Sequence, residues 1–172
     1  MIIKQGTHYA RPLQLLKKLF GIRFCKKRVM TCTVEFNNSA VYFIGKDQSD
    51  INKLFGFSLG YHHTNSLRVG WRYVPDKGSI EIVSYVYDSK NRLKEKHIDW
   101  LDFKVRKTYF IVLHDNLFYE FGYKVNGVSV KVAEGLLEIE RKRYFSYPLS
   151  LYFGGNCEAP HDIVLDTYLP EY

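Results

Sequence analysis

The 172 residues suit one domain with a sizeable core and are short for two. Hydrophobic residues make up 46% and charged residues 25%, the balance of a folded chain and not of a disordered one. The net charge of +7 is unevenly placed: Lys4, Arg11, Lys17, Lys18, Arg23, Lys26, Lys27 and Arg28 all precede the first acid, Glu35, leaving 17 basic against 18 acidic residues in the remainder. The excess therefore belongs to an arm at 1–28, and the near-neutral body at 29–172 excludes a uniformly basic nucleic-acid-binding domain.

Tyrosine (14) and phenylalanine (12) are abundant and methionine (2) scarce, which favours strands over a helical bundle. Cys25, Cys32 and Cys157 are odd in number and lack C-x-x-C spacing, so small buried thiols are expected instead of a disulfide framework or zinc site. No apolar run approaches the ~18 residues of a membrane span, and the start lacks the apolar stretch of a secretory signal. An intracellular or virion location is expected.

In chain order, the segment P-L-Q-L-L-K-K-L-F at 12–20 spaces Leu13, Leu16, Leu19 and Phe20 as one helical face. Pro12 suits its first turn and Gly21 its end, with Lys17 and Lys18 near the negative end of the dipole, which predicts one short amphipathic helix. From Met30 the period changes to two. Strands are predicted at 30–36, 40–44, 66–74, 79–87, 93–98, 108–114, 117–123, 128–132, 144–153 and 163–168, separated by turn-formers. Asn126-Gly127 is the strongest hairpin signal. The spacing implies a mainly β fold, an antiparallel sandwich of about ten strands.

Alternation assigns faces. In 66–73, Leu67, Val69, Trp71 and Tyr73 oppose Ser66, Arg68, Gly70 and Arg72; in 79–87, Ile80, Ile82, Ser84 and Val86 oppose Glu81, Val83, Tyr85 and Tyr87. In 144–153, Phe145, Tyr147, Leu149, Leu151 and Phe153 read as the inner set, against Tyr144, Ser146, Pro148, Ser150 and Tyr152. An exposed outer face carrying Arg68, Arg72, Glu81, Tyr85, Tyr87 and Tyr152 would set aromatic rings beside charged hydrogen-bonding groups. Sugars suit such a face, stacking C–H surfaces on rings while hydroxyls and carboxylates take the polar groups. The same tyrosines also serve simply as strand-formers on a wet face.

The stretch G-F-S-L-G-Y-H-H-T-N-S-L-R at 56–68 reads as a glycine-punctuated connection leading into a strand, with His62, His63 and Arg68 close together. Adjacent histidines on a strand point to opposite sides, so at most one is expected in a shared site. One histidine as base, a tyrosine as acid and Arg68 as carboxylate neutraliser would serve β-elimination of uronic acid sugars; the alternative is a loop whose side chains satisfy its own backbone. The stretch Y-F-G-G-N-C-E-A-P-H-D-I at 152–163 reads as a tight crossover, with His161 at a site rim and Asp162 a thin basis for calcium, which takes six to eight oxygens. His62-His63-Thr64 matches half of a two-histidine phosphoesterase motif, but no second half occurs. G-x-S-x-G, P-loop, G-x-G-x-x-G and H-E-x-x-H motifs are absent.

Together, 56–73, 80–87 and 152–163 resemble small uncharacterised proteins of bacteria and their phages that look like concanavalin-type jelly rolls, a likeness spanning about 50–168. The resemblance implies the fold of lectins, carbohydrate-binding modules, glucanases and alginate-lyase-type enzymes. The paired-glutamate strand of glucanases, and the Arg-x-Glu-Leu-Arg and Gln-Ile-His motifs of alginate lyases, are missing. The expectation is therefore a non-enzymatic binding or structural sandwich that takes a glycan on the Arg68 face and needs no cofactor. A lyase or hydrolase of an acidic glycan is the second expectation. The third is an arm that meets nucleic acid or an acidic membrane surface through salt-dependent contacts.

Overall fold

The computed structural model describes residues 1–10, 23–24, 28–88, 93–139 and 145–168; the helix expected at 12–20 lies outside them, as does Cys25. Among the described residues there are twelve strands: β1 (Ile2–Ile3), β2 (Arg23–Phe24), β3 (Arg28–Phe36), β4 (Asn52–Leu59), β5 (Ser66–Val74), β6 (Ser79–Tyr87), β7 (Leu93–Leu101), β8 (Arg106–Leu113), β9 (Phe118–Val125), β10 (Val128–Leu136), β11 (Phe145–Leu149) and β12 (Ile163–Tyr168). They form two antiparallel six-stranded sheets, β1-β12-β3-β8-β9-β10 and β2-β11-β4-β5-β6-β7. The fold is an antiparallel β-sandwich.

Between the sheets lies one apolar core, in which Met30, Cys32, Val34 and Phe36 of β3 oppose Phe57 and Leu59 of β4 and Leu67, Val69 and Trp71 of β5. Phe36 and Trp71 meet across the sheets at 5.0 Å between ring centres. Burial pushes the Cys32 thiol up to about 12, which leaves it an inert core residue. Asn126 and Gly127, at φ 50° and 81°, join Val125 to Val128 in the tight turn that Asn-Gly predicts. No helix among the described residues is long and apolar enough to cross a membrane.

Several expectations are corrected. Residues 40–44 are not a strand: they run between 3-10 turns at Asn38–Ala40 and Gly45–Asp47. Side chains there supply what a ladder would. Asn37 accepts from the Ser39 amide, while Gln48 accepts from Ile44 N–H and donates to the carbonyls of Tyr42 and Tyr73. In contrast, 52–59 is a central strand, paired with β11 on one side and β5 on the other. Every residue in it is buried, so it lacks the polar-apolar alternation that marks a half-exposed strand.

The face assignment along 145–149 is inverted. Ser146 is fully buried and accepts a hydrogen bond from Arg28, whose guanidinium lies 5.2 Å from the centre of the core ring of Phe57. Ser146 therefore faces the other sheet, and its neighbours Phe145 and Tyr147 face outward. The regular strand ends at Leu149, and the alternation restarts beyond it, so that Leu151 and Phe153 point into the core.

Candidate functional site

The outer face of the second sheet is organised in cross-strand rows. One runs Leu149, Gly56, Arg68, Tyr85, Glu95 across β11, β4, β5, β6 and β7. The next runs Tyr147, Ser58, Ser66, Tyr87, Leu93. On the other side of Arg68, isolated bridges extend the row Lys53, Gly70, Val83, His97 outward through Tyr152 to Tyr9. The middle positions are small: Gly56, Ser58, Ser66 and Gly70. Arg68 lies across Gly56 and Ile51 lies over Gly70, while Tyr85, Tyr147, Tyr87 and Tyr152 surround the guanidinium.

Arg68 is the centre of this face. The residue is only 9% exposed, although alternation alone expects it open to solvent. Burial lowers its pKa, opposed by its proximity to Tyr85, Tyr147, Tyr87 and Tyr152. A guanidinium nevertheless stays protonated in proteins. Its Nε has no hydrogen-bond partner, and neither does the fully buried Ser66 Oγ two positions earlier on the same face. A buried charge without a partner is costly, and donors left unmet on one face form a receptor for an anion.

Gly56 makes room for the arginine: a Cβ there would come within 2.7 Å of Arg68 Cα and 2.2 Å of the Leu67 carbonyl oxygen. Gly56→Ala is expected to force β4 away from β5 and cost about 1–3 kcal/mol. A urea titration would show it as a lower midpoint at unchanged slope.

Lys53 is the second buried cation, 8% exposed. Its ammonium donates to the carbonyls of Ile51 (2.6 Å) and Gly154 (3.4 Å) and lies 4.6 Å from the Tyr85 ring centre and 5.7 Å from that of Tyr152. Burial first and the positive charge of Arg68 second bring its pKa down to about 8, against the opposite pull of Asp50 and Glu95. The amine is thus partly neutral near physiological pH and able to take a proton.

The phenols complete the set. Tyr85 and Tyr87 hydroxyls lie 3.3 Å apart; burial and that hydrogen bond raise the Tyr85 pKa, so it remains a proton donor. The Tyr147 hydroxyl lies 3.2 Å from His62 Nδ1. His62 and His63 do not point to opposite sides: their rings are 4.1 Å apart. They sit in a turn, where the amides of Thr64 and Asn65 both donate to the Tyr61 carbonyl, so strand alternation does not apply. His63 also approaches the Tyr87 ring at 6.3 Å.

Six residues singled out from the sequence, His62, His63, Arg68, Tyr85, Tyr87 and Tyr152, therefore come together. Arg72 and Glu81 share the face but engage each other, with Arg72 Nε 2.7 Å from Glu81 Oε2. Arg72 also donates to the Ser49 carbonyl, and His97 Nδ1 lies 3.0 Å from Glu81 Oε1, so this pair is internally satisfied. His161 stands apart: its Nε2 donates to the Ser39 carbonyl at 2.9 Å, and Ser39 Oγ in turn accepts from the Val164 amide in β12 of the other sheet. Lys53 and Tyr147 escape local pattern. Lys53 lies in a strand buried on both faces, and Tyr147 lies where the alternation is out of step. Among the described residues no cluster of three or more His, Cys, Asp or Glu could hold a metal ion.

No protein-family model matches the chain, and no curated protein matches it in sequence. Solved structures do match in shape. An alginate lyase, a double variant in complex with an alginate trisaccharide, superposes with a TM-score of 0.58 at 15% identity over 87% of this chain and 72% of its own. The alginate lyase vAL-1 from Chlorella virus gives 0.57 at 14% identity over 98% and 81%. An alginate lyase from Pseudomonas aeruginosa gives 0.51 at 9% over 83% and 64%. At these identities the likeness is one of fold: this β-sandwich is similar to those of polysaccharide lyases.

Proposed function

We propose that the chain is a polysaccharide lyase that cleaves an acidic, uronate-containing glycan by β-elimination on the Arg68 face. The observation that carries this reading is the pairing, on one sheet face, of a buried guanidinium whose Nε has no partner with an amine brought down to about 8. A binding face needs the first of these. A base for the C5 proton needs the second.

In the proposed step Arg68 and Ser66 Oγ take the uronate carboxylate, which acidifies the adjacent C5–H by stabilising the charge that spreads into the carboxylate. The neutral Lys53 amine removes the C5 proton. The electron pair of that bond forms C4=C5 while C4–O4 breaks, and a phenol gives its proton to O4. Tyr147 is set for this role, its hydroxyl standing 3.2 Å from His62 Nδ1. The similar fold of alginate lyases makes alginate the first substrate to try.

The test is to incubate the purified protein with alginate and with polygalacturonate while following ultraviolet absorbance. The conjugated unsaturated uronate made by β-elimination absorbs there, and an intact glycan does not. Growth of absorbance in the wild type but not in Arg68→Ala is expected. New reducing ends without absorbance would mean a hydrolase and would overturn the reading. Retention on the glycan with no cleavage would leave the face as a non-catalytic binding site.

A further inference from the structure

We propose that Tyr9 is a stacking platform for a further sugar ring of the same acidic glycan, so that the N-terminal segment sets the chain length the site prefers. This deepens the lyase reading and rests on it. Tyr9 is 62% exposed, yet its backbone is fixed in place. Gly6 N–H donates to the Ala159 carbonyl (2.9 Å), Ala159 N–H to the Thr7 carbonyl (3.1 Å) and Phe153 N–H to the His8 carbonyl (2.8 Å). His8 Nδ1 donates to the Phe153 carbonyl at 2.9 Å, and its ring lies parallel to that of Tyr152, 5.0 Å away with 5° between planes. Tyr9 meets Tyr152 edge-on, again at 5.0 Å, with the planes at 78°.

Direct bridges join Tyr9 to Tyr152 and Tyr152 to Lys53, so the three side chains stand on one face in one row. With strands about 4.8 Å apart, Tyr9 lies about 10 Å beyond Lys53. A glycan whose carboxylate sits on Arg68 and whose chain crosses the strands toward β11 would bring a later ring over Tyr9. A fixed aromatic ring, edge-braced and open on its face, offers the C–H surface of a pyranose a partner at little entropic cost. Tyr152 is held between His8 and Tyr9 and by the Lys53 ammonium, so the exposed platform in this row is Tyr9.

The experiment compares wild type, Tyr9→Ala and Tyr9→Trp on an alginate trisaccharide and on long alginate, with affinity electrophoresis in alginate-containing gels as a readout independent of turnover. In Tyr9→Ala, KM for the long chain should rise about three- to tenfold with kcat little changed, and gel retardation should weaken. The trisaccharide should be affected far less, and Tyr9→Trp should restore or tighten long-chain binding. Equal loss on both substrates, or an unchanged long-chain KM, would overturn the proposal. So would failure of Tyr9→Trp to recover retardation, which would assign Tyr9 a purely structural part. If the wild type makes no unsaturated product the lyase reading fails, and the gel still decides whether Tyr9 holds the glycan.

Discussion

Replacing Arg68 by methionine is expected to raise the melting temperature while abolishing β-elimination. These two effects seldom go together, and their combination separates a site from a scaffold. The wild-type residue keeps a charged guanidinium buried among tyrosines with its Nε unpartnered. Substituting a linear apolar side chain removes that desolvation cost and retains most of the packing. For a chain of this size each kcal/mol regained corresponds to about 2–4 °C. Turnover on a polyuronate should fall at least about a hundredfold, the usual effect of deleting one preorganised charge-stabilising donor. Arg68→Lys should fall between the two, because it keeps the charge but loses the planar fork that grips a carboxylate. If the melting temperature drops and glycan retention is intact, the arginine is a structural residue and the proposed site is wrong. Calorimetry with the absorbance assay on the same samples reads both quantities.

Two residues at the heart of this face, Arg68 and Tyr85, are legible from the sequence because β5 and β6 obey a strict period of two. Their cross-strand partnership follows once the Pro75–Gly78 turn makes those strands neighbours. Lys53 is hidden for the opposite reason. Its strand is packed on both faces, and Gly56, which admits the Arg68 stem, reads locally as a turn glycine. Tyr147 is misassigned because the run 144–153 is treated as one strand when it is a short strand followed by a bridge at Tyr152. Ser146 then turns inward to meet Arg28, a contact spanning the two sheets that no local pattern records. The histidine pair is found but misread, since a turn and not a strand carries it. Period and turn chemistry thus reveal which residues share a strand face. They do not reveal which distant segment joins that face, as Tyr9 does through its bridge to Tyr152.

Lys53 gives the larger pH effect. Its pKa stands at about 8 in the folded chain against an ordinary 10.5, so between those values the unfolded chain binds more protons than the folded one. Stability from this group therefore rises as pH increases from about 8 to about 10.5, and below that window the buried ammonium costs on the order of 3 kcal/mol. Lys53→Met should be more stable than wild type at neutral pH, with the gap closing as pH rises from about 8 to about 10.5. Tyrosines common to both proteins cancel from the difference. The catalytic profile should run with the same group. As a base, Lys53 requires kcat/KM to climb tenfold per pH unit on the acid side and level off near pH 8. A bound uronate places negative charge beside the amine and raises its pKa, so the corresponding limb in kcat should lie at higher pH than in kcat/KM. Lys53→Met should have no measurable turnover at any pH. A profile that instead falls above pH 8 would make the ammonium the working form, with Lys53 holding the substrate's charge and the proton passing to another group on the face.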